Sequence, residues 1–114
     1  MSARSIMIVE DDPIMAECIA RAANLPATIF TNAIDAVQAL NDSLPDLIFL
    51  DVLLDGPDGF TLLNELASYT DTAQIPVVLV TSLNLSHHDL SHYGVIGILS
   101  KDTMTPQEIA SYVR

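Results

Sequence analysis

Three runs of four consecutive apolar residues, Ile6-Met7-Ile8-Val9, Leu47-Ile48-Phe49-Leu50 and Val77-Val78-Leu79-Val80, each stop abruptly at polar residues. Runs this short and this uniformly apolar read as strands covered on both faces. A fourth, Ile96-Gly97-Ile98-Leu99-Ser100, closes at Lys101, the only lysine of the chain. The pattern predicts strands over 5–10, 47–51, 77–81 and 96–100, and Ala27-Thr28-Ile29-Phe30-Thr31 adds a β-rich fifth.

Helical patterns alternate with these runs. Asp12-Pro13 supplies an N-cap and a first-turn proline, followed by a stripe of Ile14, Met15, Cys18, Ile19 and Ala22 that ends near Asn24. Asn32 caps a second helix, with Ala33, Ala36, Val37 and Leu40 at i, i+3, i+4 and i+7, and Pro45 stops it. A third helix, about 60–70, should carry Phe60, Leu63, Leu66 and Ala67 inward. A last one starts at Thr105 with Pro106 in its first turn. β-α repeated five times, with strands too apolar to face water, implies an α/β fold. Its sheet is parallel and doubly wound, with right-handed crossovers. Ligands of such folds sit outside the carboxyl ends of the strands.

Those ends hold the chemistry. The first strand runs into Glu10-Asp11-Asp12, the third into Asp51, the fourth into Thr81-Ser82 and the fifth into Lys101. Carboxylates, a hydroxyl and an ammonium gathered on one sheet edge make a site for a cation and a phosphoryl group. Crowded carboxylates should raise at least one proton affinity, with Lys101 opposing that rise.

Composition narrows the classes. A chain of 114 residues, half apolar and 17% charged, suits one globular domain. A net charge of −11 repels phosphate backbones, so direct nucleic-acid binding by this domain is not expected. No apolar stretch approaches the roughly 18 residues of a membrane span, and Met1-Ser2-Ala3-Arg4-Ser5 lacks the apolar core of a secretory signal. The expected location is cytoplasmic. Cys18 excludes an intrachain disulfide, and its helical neighbours suggest a buried, inert thiol.

The whole chain resembles the receiver domains of bacterial two-component response regulators. Val9-Glu10-Asp11-Asp12-Pro13 is similar to the acidic pair closing the first strand. Leu50-Asp51-Val52-Leu53-Leu54 with Asp58-Gly59 is similar to the phosphoacceptor strand and its loop. Val80-Thr81-Ser82 and Leu99-Ser100-Lys101-Asp102 match the hydroxyl and lysine positions. The resemblance implies a flavodoxin-like (βα)5 fold with strand order 2-1-3-4-5 over residues 1–114, either trimmed from a longer protein within the last helix or closed by a minimal one.

It further implies that Asp51 takes a phosphoryl group from a histidine kinase or phosphotransfer protein. Mg²⁺ would be held by Asp11, Asp51 and the Leu53 carbonyl, with Glu10 acting through a water. Lys101, the Thr81 hydroxyl and backbone N–H groups of Val52, Leu53 and Ser82 would hold the phosphoryl oxygens. Thr81 and residue 98 would form the switch that alters binding to an output domain or partner. Leu53 and Leu83 would shield the adduct from water.

Three positions depart from the family pattern. Ile98 stands where an aromatic is expected, and isoleucine is stiff at χ1. The stretch from Thr81 to Lys101 is short and poor in helix signals, so a fourth helix over 84–93 would be short or loose. Asp102 replaces a proline, removing any need for a cis peptide. Ile98 and the short helix motivate the alternative of a pseudo-receiver, an interaction module that does not cycle phosphate.

Other features read as surface. His88 and His92 at i, i+4, with His87 beside them, lack the further ligands of a zinc site. Asp55, Asp58 and Gly59 do not match a calcium loop and read as turn chemistry with Gly56 and Pro57. An aspartyl phosphatase would need a second Asp two residues after the nucleophile, where this chain has Leu53. Glycine-rich nucleotide loops are absent from the sequence. Turnover of outside substrates is therefore not expected.

Overall fold

The computed structural model describes residues 3–54, 59–82 and 94–114. Five strands, β1 (Ile6–Val9), β2 (Ala27–Phe30), β3 (Leu47–Leu50), β4 (Val77–Thr81) and β5 (Val95–Ser100), form one parallel sheet in the order β2-β1-β3-β4-β5. Described helices are α1 (Pro13–Ala23), α2 (Ala33–Leu40), α3 (Gly59–Ala67) and α4 (Pro106–Val113). The expected strand order is the observed one. The segment 84–93, with its three histidines and Tyr93, lies outside the described residues, as do Asp55, Gly56, Pro57, Asp58 and Leu83.

Alternation along each strand builds two cores, because successive side chains point to opposite faces. Met7, Val9, Ile48, Leu50, Val77 and Leu79 face α2 and α3. Ile6, Ile8, Phe49, Val78, Val80 and Leu99 face α1 and α4. The central strand β3 is buried at all four positions, and each such side chain is worth about 1.5–3 kcal/mol.

The local signals work as expected at the helix ends. The Asp12 carboxylate accepts from the Ile14 and Met15 N–H groups, and Asn24 closes α1 in the left-handed region at φ 54°. Asn32 caps α2 by accepting from the Asp35 N–H at 2.8 Å. Thr105 and Glu108 complete a reciprocal capping box at α4. The Lys101–Asp102 bond is not cis.

Three packing expectations are corrected. Cys18 is exposed, not buried, and Ile14 is exposed too. The inward face of α1 is Ala16, Ile19 and Ala23; small alanines let the helix lie close to the sheet, so the larger apolar residues beside them are turned outward. On α3, Leu62 is buried with Leu63 and Leu66, whereas Ala67 is exposed beyond the last covered turn. The two edge strands also face water in part: Thr28 and Ile29 of β2, and Ile96 and Ile98 of β5, are exposed. Double coverage holds for β1, β3 and β4.

Candidate functional site

Register places the site. The last paired positions of β1 and β3 are Val9 and Leu50, so Glu10 and Asp51 emerge side by side one residue later. The parallel ladder carries on through them, with the Glu10 N–H donating to the Phe30 carbonyl and the Asp51 N–H to the Val9 carbonyl, both at 2.9 Å. On the other side Thr81 pairs with Ser100, and the Lys101 N–H donates to the Thr81 carbonyl at 3.0 Å. Four chain ends thus converge on one sheet edge.

The lysine reaches across this edge. Its ammonium donates to Asp51 Oδ2 at 2.9 Å and to Glu10 Oε1 at 3.0 Å. Glu10 and Asp51 are almost wholly buried, at 1% and 2% exposure, and Thr81, at the end of the neighbouring strand β4, is fully buried. Glu10 Oε2 also lies 3.0 Å from the ammonium, but it accepts no hydrogen bond although it is buried. The second Asp51 oxygen accepts from the Leu53 N–H at 3.0 Å, an arrangement that points this backbone donor at the carboxylate.

Carboxylate oxygens of Glu10, Asp11 and Asp51 lie within 4.8 Å of one another. Three hard oxygen donors, among them a buried Glu10 oxygen without a well-formed hydrogen bond, suit a small divalent cation of the Mg²⁺ type. Burial chiefly, with the Asp51 charge adding, pushes the Glu10 carboxyl up to about 6, against hydrogen bonds from Lys101 and the Asp12 N–H that lower it. Glu10 is therefore a carboxyl of raised proton affinity, and burial more than crowding is the reason. Burial alone would lower Lys101; its hydrogen bonds to Asp51 and Glu10, together with their charges, outweigh that, and its pKa is raised.

The sign of the resulting pH dependence follows from proton counts. A carboxyl at about 6 in the folded chain and 4.5 unfolded binds more proton when folded between those values. Its contribution is complete below pH 4.5 and is lost as pH rises through about 6. Without divalent cation, urea unfolding should show about 2 kcal/mol of this contribution gone by pH 7. Mg²⁺ should bind more weakly below pH 6, where the Glu10 proton competes.

Of the residues expected at the site, Glu10, Asp11, Asp51, Thr81 and Lys101 come together. Val52 is buried, and Leu53 and Ser82 are exposed at the rim. Ile98 sits on β5, 37% exposed, three residues before the lysine. Sequence reasoning missed the part played by Gly59. Its N–H donates to the Val52 carbonyl at 3.0 Å, and a Cβ there would lie 2.5 Å from the Asp51 carbonyl oxygen and the Val52 Cα. The start of α3 therefore rests on the backbone of the Asp51 strand. A glycine as the first helical residue, where it is a poor helix former, was the available signal.

The family described as response regulator receiver domain matches residues 6–114. Transcriptional regulatory protein BaeR of Escherichia coli is 36% identical over 80 residues, which is 68% of this chain and 32% of BaeR. Response regulator PleD of Caulobacter vibrioides is 42% identical over 89 residues, 74% of this chain and 19% of PleD. The matches thus take in a fifth to a third of these relatives' length. The signal receiver domain of a signal transduction histidine kinase from Syntrophus aciditrophicus is 32% identical, with a TM-score of 0.83 over 97% of this chain and 87% of that one.

Proposed function

This chain belongs to the response regulator receiver domain family, and on that premise we propose that it is a phosphorylation-dependent signalling switch whose phosphoacceptor is Asp51. The observation that carries the reading is the half-buried Lys101 ammonium holding the buried Asp51 and Glu10 carboxylates together at the sheet edge. A stability role alone does not account for two nearly buried carboxylates sharing one cation, since such clusters are costly to desolvate.

In the proposed reaction an Asp51 carboxylate oxygen attacks the phosphorus of a phosphorylated histidine or a small acyl phosphate. A P–O bond to Asp51 forms as the bond to the donor's nitrogen or oxygen breaks, and the leaving group departs with that electron pair. Glu10, Asp11, Asp51 and the Leu53 carbonyl would hold Mg²⁺, Glu10 through a water. When bound, Mg²⁺ supplies the positive charge that offsets repulsion between the carboxylate and the incoming phosphoryl oxygens. Lys101, Thr81 and the N–H groups of Val52, Leu53 and Ser82 bind those oxygens in the product.

Receiver domains are signalling modules rather than turnover enzymes, and the catalysis proposed here is confined to the domain's own phosphorylation and dephosphorylation. A histidine kinase or phosphotransfer protein is the proposed donor. Thr81 and Ile98 are the proposed switch positions, acting on an output domain or partner protein. Among the described residues no helix is long and apolar enough to cross a membrane. A cytoplasmic location is part of the proposal and rests on the proposed kinase or phosphotransfer donor.

The test is incubation with acetyl phosphate and Mg²⁺, read by intact mass and by mapping of the modified peptide. One phosphoryl group on Asp51 is expected. No adduct from acetyl phosphate or a cognate kinase would side with the second reading, a pseudo-receiver that binds partners without cycling phosphate; Ile98 in place of an aromatic is the observation favouring it.

Leu53 bears on the lifetime of the adduct. Its side chain is 52% exposed two residues beyond Asp51, where it can cover the approach of water. Leu53→Asn replaces this apolar cover with a group able to orient water, and should shorten the half-life of phosphorylated Asp51 several-fold. An unchanged decay rate would reject that role.

A further inference from the structure

The face of the sheet opposite α1 and α4 carries a groove that the acidic site does not use. It runs between α2 and α3 as two adjoining cavities of about 370 and 310 Å³ that share Val37 and Glu65. Leu40, Leu62 and Leu66 supply apolar floor. At its lips Ile34 and Tyr69 are 54% and 57% exposed, large side chains left half in water beside an apolar cleft.

Charge on this groove has one sign. Glu65 sits at the shared waist and Asp71 at one end, and no cation lines either cavity. The four basic residues lie elsewhere: Arg4 before β1, Arg21 paired with Glu17 on α1, Lys101 in the acidic site and Arg114 after α4. A second copy of a chain with net charge −11 would bring acid against acid here, and an anionic lipid surface would be repelled.

We propose that the α2–α3 groove docks a cationic amphipathic helix of a partner protein. Leucine-like side chains at i, i+3, i+4 and i+7 fill the two cavities, and Lys or Arg along the helix edge meets Glu65 and Asp71. Elongation favours a helix over a compact ligand: the groove follows α2, whose eight residues span about 12 Å, two turns of a docked helix.

The test uses the full chain and a synthetic amphipathic peptide of about four turns, apolar on one face and lysine-rich on the other. Amide shifts should concentrate at Ile34, Gln38, Glu65 and Tyr69. Glu65→Lys should weaken binding about tenfold, whereas Glu17→Lys on α1, an equal change in net charge, should leave it unchanged. Ile34→Ser, at an exposed position, should weaken it several-fold at constant charge. Equal weakening by the two lysine variants, no effect of Ile34→Ser, shifts centred off the groove, or equal binding of a peptide with glutamate for lysine would each overturn the proposal. None of these readouts requires Asp51 chemistry, so the groove and the switch stand or fall separately.

Discussion

Asp51→Asn is expected to reduce phosphoryl incorporation from acetyl phosphate to background while the chain stays folded. The amide has the volume of the carboxylate, and its single oxygen can accept from either the Leu53 N–H or the Lys101 ammonium, which now meet separate Asp51 oxygens at 3.0 and 2.9 Å. It has no anionic oxygen to form the acyl phosphate, so the reaction is lost rather than slowed. It also removes one of the three clustered carboxylates, and Mg²⁺ should bind more weakly. Label persisting on the variant at the wild-type rate would place the phosphoacceptor elsewhere. Of the remaining clustered acids, Glu10 is the buried one and Asp11 is half-buried, so peptide mapping would say which of them took over.

The second large effect is on stability. Lys101→Met keeps most of the side chain's volume and deletes the charge that both buried acids share. Glu10 and Asp51 are then left as neighbouring carboxylates without their common donor, the arrangement for which removal of one partner costs most. A loss of about 3 kcal/mol is expected at pH 7 without divalent cation. The loss should shrink at lower pH, because Glu10, already pushed up to about 6, moves higher and takes a proton in place of the lost ion pair. Adding Mg²⁺ should recover part of it, since a cation bound to the folded state alone stabilises by mass action. Urea unfolding at two pH values, with and without Mg²⁺, measures all three. A variant as stable as the parent under every condition would mean that the lysine does not hold the site together.

The sequence reveals the sheet's middle better than its edges. Ile6–Val9, Leu47–Leu50 and Val77–Val80 have no polar residue to offer to water, so their coverage on both faces could be read directly. Ala27–Phe30 and Val95–Ser100 are nearly as apolar, yet they form the two outer strands, and exposure at Ile29, Ile96 and Ile98 follows from position in the sheet. Nothing local to those residues reports that position. A similar limit applied to α1. Ranking by hydrophobicity selects Ile14 and Cys18, whereas close approach to the sheet selects Ala16 and Ala23, and the second criterion is visible only once the helix is packed.

At the candidate site, which residues meet was legible because strand ends of a parallel sheet converge whatever the rest of the chain does. Their inequality was not. Glu10 and Asp11 are adjacent acids, but the pleat turns Glu10 into the interior, to 1% exposure, and leaves Asp11 half-buried. Burial at Glu10 is also the main reason its carboxyl is raised. The contact of Gly59 with the Asp51 backbone was hidden for a related reason: a missing side chain announces a tight approach without naming what approaches.

The most direct measurement is a titration of ¹⁵N-labelled chain at neutral pH, first with Mg²⁺ and then with beryllofluoride, a stand-in for the phosphoryl group. Mg²⁺ should saturate with shifts at the amides of Asp11, Asp51 and Leu53. Beryllofluoride should then act only in the presence of Mg²⁺, moving Val52, Ser82, Thr81 and Lys101 and carrying on into β5 at Ile98. If Mg²⁺ saturates nothing at these acids, or if the fluoride adduct leaves Thr81 and Lys101 where they were, then the cluster at the sheet edge is not a phosphoryl switch.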